Sequence, residues 1–81
     1  MISCDQHDYI EIVCTFRYPV KLFMKSGVVL EGIALDTQFN NNKEECVLVE
    51  IDGHPQLIVL DDLSQLDVLV DNPHFQTISF V

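Results

Sequence analysis

The chain has 81 residues, 48% of them hydrophobic with only 3 Gly and 3 Pro, which predicts one small globular domain with no room for a second core. Thirteen Asp and Glu against four Lys and Arg give a net charge of −9, which argues against a direct grip on nucleic acid, because that grip depends on cations displacing condensed counterions. The apolar runs are too short to span a bilayer, and no basic region followed by an apolar stretch marks a signal peptide, so a cytoplasmic location is expected.

Residues 5–17, DQHDYIEIVCTFR, predict the only helix. Asp5 is its expected N-cap, and Asp8 stands where a capping-box acid would; both carboxylates favour the positive end of the helix dipole. At about 100° per residue, Tyr9, Ile12, Val13 and Phe16 share an apolar face with Ile10 on its edge. Asp8, Glu11 and Thr15 lie opposite, with His7 beside them. Pro19 ends the helix by disfavouring helical geometry at Tyr18.

Beyond Pro19 the period becomes two, with Val20, Leu22 and Met24 alternating with Lys21, Phe23 and Lys25 in a half-buried strand over 19–25. A turn at Ser26-Gly27 leads to a strand over 28–36, in which Gly32 suggests a bend or bulge. Thr37–Glu45 reads as a polar loop. Further strands are expected over 46–51, 56–60, 66–70 and 75–80, separated by Asp52-Gly53, Asp61-Asp62 and Asp71–Pro73. One helix and five or six short antiparallel strands predict a mainly β small barrel with the helix over one opening, a closure that removes free sheet edges.

Three cysteines without CxxC or HxxxH spacing predict neither a disulfide framework nor a metal site, and Cys14 and Cys46 read as buried thiols. No cofactor is expected. Asp61, Asp62 and Asp67 are the nearest approach to an acid–base pair, but a small barrel filled by its own side chains leaves little room for a substrate. With no Ser-His-Asp, GxGxxG or P-loop arrangement, the chain reads as a non-enzyme. An acidic surface suits a basic partner, or serves solubility alone. The candidate partner-binding residues are Asp5, Asp8 and Glu11 on the helix, and Asn41, Asn42 and Lys43 on the longest loop. Against this stand capping, an ordinary solvated face and a flexible loop. Tyr9 reads as core, and His7, His54 and His74 as scattered surface or turn residues. Arg17, Lys21 and Lys25 are the only cations placed to cluster.

The stretch PVKLFMKSGVVLEGIALD is similar to the first motif of Sm-fold proteins: an apolar strand, a Lys-x-Gly turn, then a strand with an internal Gly and a terminal Asp. The N-terminal ISCDQHDYIEIVC resembles the opening signature of the Rof family, with its Cys-Asp pair, an Asp three residues later, an apolar-Glu-apolar triplet and a second Cys. The similarity continues through Leu48-Val49-Glu50 and Leu60-Asp61, and so covers nearly the whole chain. The NNNK loop departs from the shorter, more basic turn expected of the family. The resemblance implies an Sm-like barrel with an N-terminal helix that binds the N-terminal RNA-binding domain of transcription termination factor Rho. Binding there would obstruct Rho's primary RNA site and reduce Rho-dependent termination. A monomer is expected, with no direct nucleic-acid binding and no membrane association. Two other readings stay open. An Sm-like RNA-binding module would need a ring oligomer and a basic or aromatic pore, which the net charge opposes. An acidic interaction domain with a different basic partner is not separated from the Rho reading by charge.

Overall fold

A computed structural model describes residues 4–80 of the chain. Helix α1 (Cys4–Thr15) is followed by strands β1 (Pro19–Met24), β2 (Val29–Phe39), β3 (Glu45–Ile51) and β4 (His54–Val59). A single 3-10 turn (Leu60–Asp62) then leads into β5 (Leu63–Val68) and β6 (Thr77–Ser79). The six strands form one antiparallel sheet in the order β4-β3-β2-β1-β5-β6, so the mainly β architecture with one N-terminal helix is as the sequence predicts.

A single sheet encloses a core only by curling. Val20 and Leu22 from β1, Ala34 from β2, Val47 and Val49 from β3, Ile58 from β4 and Leu66 and Val68 from β5 belong to one buried cluster, capped by Ile10, Val13 and Cys14 of the helix. Two bulges help the curl. Leu35 is the extra residue where β2 passes β3, and Ser64 is the extra residue where β5 passes β1. The Ser64 hydroxyl donates to the Phe23 carbonyl at 3.0 Å. The bulge in β2 thus falls three residues beyond Gly32, whose role is a close approach. A Cβ there would lie 2.7 Å from Val49 Cγ1 and would overlap the Glu50 carbonyl oxygen. The ladder is linear, so closure does not remove both edges among the described residues. β4 is instead blunted by Pro55, and β6 is three residues long.

Several boundaries move for identifiable reasons. The helix ends at Thr15 rather than at residue 17, because Arg17 adopts a left-handed backbone (φ 53°). Tyr18 N–H donates to the Val13 carbonyl at 3.0 Å and Arg17 N–H to the Cys14 carbonyl at 3.2 Å, the paired bonds of a Schellman cap. The helix also begins at Cys4, so Asp5 lies inside its first turn rather than at the N-cap. The buried stripe is Ile10, Val13 and Cys14, rotated from the predicted face. Tyr9 (37% exposed) and Phe16 (53%) lie on its flank, not in the core. Their rings lean on the C-terminal segment instead, Tyr9 edge-on to Phe75 (4.8 Å) and Phe16 stacked on His74 (5.3 Å).

β2 runs to Phe39, three residues past its predicted end and through a third of the expected loop Thr37–Glu45, because Thr37, Gln38 and Phe39 pair with Val47, Cys46 and Glu45. β4 starts at His54, immediately after Asp52 and Gly53, which both take positive φ (53° and 81°) as a tight I′-type hairpin requires. β5 spans Leu63–Val68 rather than 66–70, and Leu69 and Val70 are exposed beyond it. The last strand is confined to Thr77–Ser79 within the predicted 75–80.

Candidate partner-binding surface

Helix α1 lies over β2, which fixes the direction of its polar side. With Ile10, Val13 and Cys14 turned inward, Asp5, Asp8 and Glu11 are all exposed. His7 stands among them, with Nδ1 3.3 Å from Glu11 Oε1 and Nε2 3.0 Å from Glu45 Oε2. Both ring nitrogens thus face a carboxylate oxygen. His7 therefore ties the helix to the first residue of β3, a role that a scattered surface histidine would not have.

The β2–β3 connection is shorter and more ordered than a nine-residue polar loop. Asn40 organises it: its Oδ1 accepts from the Asn42 N–H (2.9 Å) and the Glu44 N–H (3.0 Å), while its Nδ2 donates to Glu44 Oε1 (3.0 Å). Asn40 N–H also donates to the Glu44 carbonyl, and Lys43 N–H to the Asn40 carbonyl. Asn41, Asn42 and Lys43 are thereby presented as an exposed turn, with Lys43 in the left-handed region (φ 63°). Glu45 stands at the base of this turn and meets His7. Glu11 on the helix and the base of the turn, separate in sequence, are joined at that point.

Sequence reasoning did not place His7, Glu45 or the exposed Phe39 among the candidate partner-binding residues. The i,i+4 spacing of His7 and Glu11 was a readable signal. The contact with Glu45 spans the fold and was not.

Two cavities flank His7 and Glu11. One, of ≈ 430 Å³, opens between the last turn of α1 and the β2 bulge, with Glu11, Arg17 and Asp36 at its rim and Cys14 in its wall. The other, of ≈ 300 Å³, is lined by His7, Thr37, Gln38, Phe39, Glu45 and Cys46. Cys14 and Cys46 are buried free thiols, as expected. Burial pushes the Cys14 thiol up to about 11, with the Asp36 charge adding to it and Arg17 opposing. Burial likewise raises Cys46, against an opposing hydrogen bond from the Asn40 backbone. Both are neutral at physiological pH and present no thiolate nucleophile.

Lys21 pairs across the sheet with Glu31 on one side and Asp67 on the other, and its Nζ lies 5.6 Å from the Phe23 ring centre. Among the described residues, no group of three or more His, Cys, Asp and Glu is arranged to hold a metal ion. No helix among them is long and apolar enough to cross a membrane.

Comparison with known proteins agrees with the family that the N-terminal signature implied. No curated protein sequence matches the chain. A solved structure, YaeO bound to magnesium from Vibrio cholerae O395, superposes with a TM-score of 0.87 at 46% sequence identity, covering 91% of this chain and 96% of that one. The family model for ROF, a modulator of Rho-dependent transcription termination, matches residues 1–80. The chain belongs to the Rof family of modulators of Rho-dependent transcription termination.

Proposed function

We propose that this protein binds transcription termination factor Rho as a monomer in the cytoplasm, covers the primary RNA site on Rho's N-terminal domain and so reduces Rho-dependent termination. The family supplies the process, and the surface supplies the mode. The observation that carries the reading is the joined surface at His7, where exposed Glu11 and the base of the Asn41–Lys43 turn meet. A site built to hold RNA is basic, and an acidic face can occupy it with favourable charge complementarity and salt-sensitive association. Asp5, Asp8 and Glu11 supply the charge; Asn41, Asn42 and Lys43 supply hydrogen-bonding groups at its border. Direct RNA binding is disfavoured by the acids on both sides of Lys21. The protein acts by occupancy and performs no catalysis.

The test is Glu11→Lys. Glu11 is exposed and makes one local contact, so its reversal is expected to leave the thermal midpoint within a few degrees while weakening Rho binding about tenfold or more at low salt. RNA displaced from Rho by the wild type should remain bound in the presence of the variant. Equal losses of stability and binding would mean that Glu11 is structural. Binding of oligonucleotide by this protein alone would overturn the reading.

A further inference from the structure

The ≈ 300 Å³ cavity beside His7 has two chemically different walls. Phe39, at the end of β2, is 67% exposed, a large ring left in water where a polar residue would serve the strand end equally well. Glu45, its cross-strand partner, brings a carboxylate to the same cavity, with Oε2 already met by His7. Cys46 forms a buried, neutral part of the lining.

We propose that this pocket receives one arginine side chain of the protein partner. An arginine is the side chain that satisfies both walls. Its guanidinium is planar, stacks on an aromatic face and donates N–H groups to a carboxylate, while its aliphatic stem tolerates an apolar lining. A purely apolar guest would strip water from Glu45 without replacing its hydrogen bonds. A nucleotide would bring its phosphates against a chain of net charge −9. Lysine has the charge but neither the plane nor the fork, so the pocket discriminates between the two cations. The proposal rests on the reading that the partner is Rho, whose RNA-binding surface offers basic side chains, and it adds His7, Phe39 and Glu45 to the contact surface.

Two measurements keep the proposal separate from that reading. In the first, ¹⁵N-labelled protein is titrated with N-acetyl-arginine methylamide and, separately, with N-acetyl-lysine methylamide. The arginine amide is expected to shift the backbone signals of Gln38, Phe39, Glu45 and Cys46 at lower concentration than the lysine amide. Equal or scattered shifts overturn the pocket. In the second, Rho binding is compared for wild type, Phe39→Ala and Phe39→Trp, with thermal midpoints recorded for each. Phe39→Ala is expected to weaken binding about tenfold and Phe39→Trp to retain it. Wild-type affinity in Phe39→Ala overturns the proposal while leaving Rho as the partner. If wild type fails to bind Rho while the arginine titration maps to the pocket, the Rho reading falls and the arginine site stands.

Discussion

Gly32→Ala isolates one close approach that the fold depends on. β2 crosses β3 so tightly that a new Cβ would sit 2.7 Å from Val49 Cγ1 and 3.0 Å from Ile51 Cγ1, and would overlap the Glu50 carbonyl oxygen. Val49 is fully buried, and Glu50 pairs with Ile33 in the ladder, so the most crowded neighbour is backbone and cannot rotate away. Overpacking of this kind costs about 1–3 kcal/mol, and backbone involvement puts Gly32→Ala at the upper end. For a domain of this size each kcal/mol moves the midpoint by roughly 4–8 °C, so a fall of about 10–20 °C is expected in circular dichroism melts. Urea titration should give a lower midpoint with an unchanged slope, because the surface exposed on unfolding is the same. Val49→Ala removes one of the crowding atoms, so adding Gly32→Ala to that background should cost less than in wild type. Gly53→Ala is the control. Nothing lies within 4 Å of its Cβ position, and its cost, about 1–2 kcal/mol, comes from φ of 81° alone and is indifferent to Val49. A midpoint within 2–3 °C of wild type for Gly32→Ala, or no coupling to Val49, would refute the argument.

Three further outcomes follow from local geometry. Asn40→Ala removes the acceptor and donor that organise the β2–β3 turn, so amide exchange should accelerate at Asn42 and Glu44 while the global midpoint falls by no more than about 1–2 kcal/mol equivalent; unchanged exchange would show that the side chain is dispensable. Arg17→Gly relieves a left-handed non-glycine residue at the helix end and should range from neutral to about 1 kcal/mol stabilising, and a clear loss in urea titration would contradict the Schellman assignment. The Cys14 thiol, raised from 9.0 to about 11, favours the folded state fully below pH 9 and loses that contribution as pH rises toward 11, because the unfolded thiol ionises first. Two pH units set an upper bound of about 2–3 kcal/mol, which solvent screening at the thiol lowers, so wild-type stability should still fall more steeply across that window than that of Cys14→Ala, and parallel curves would refute it.

The sequence carried the fold class because its signals were local. Alternation after Pro19, the Asp52-Gly53 turn and the Asp61-Asp62 break each act within a few residues, and each has its counterpart in the structure. The helix face was misjudged because a wheel reports where apolar residues lie and not which neighbours compete for them. Tyr9 and Phe16 found partners in Phe75 and His74, more than fifty residues on, leaving Ile10, Val13 and Cys14 to cap the core of the curled sheet. The polar loop was misjudged for a related reason. Thr37 and Gln38 have no apolar signature of their own and are strand only because Val47 and Cys46 pair with them. At the candidate surface, the acids and turn residues were readable as separate charged or polar segments. Their meeting was not, because the His7–Glu45 contact depends on the helix landing on β2.

In the proposed binding mode, that contact lets so small a domain separate stability from recognition. Core residues such as Val13, Val20, Leu63 and Leu66 are fully buried, and among the described residues no polar or charged side chain is buried with them. The proposed binding groups lie outside that cluster, held by short polar links: His7 to Glu11 and Glu45, and Asn40 to Asn42 and Glu44. Exposed links of this kind contribute little to folding individually, since water competes for both partners. Their effect is positional: they reduce the freedom of side chains that would otherwise have to be ordered when the partner arrives, a cost of about 0.5–1.5 kcal/mol for each long side chain. Substitutions at His7 or Asn40 should therefore reduce affinity more than stability, whereas substitutions at Gly32 should do the reverse.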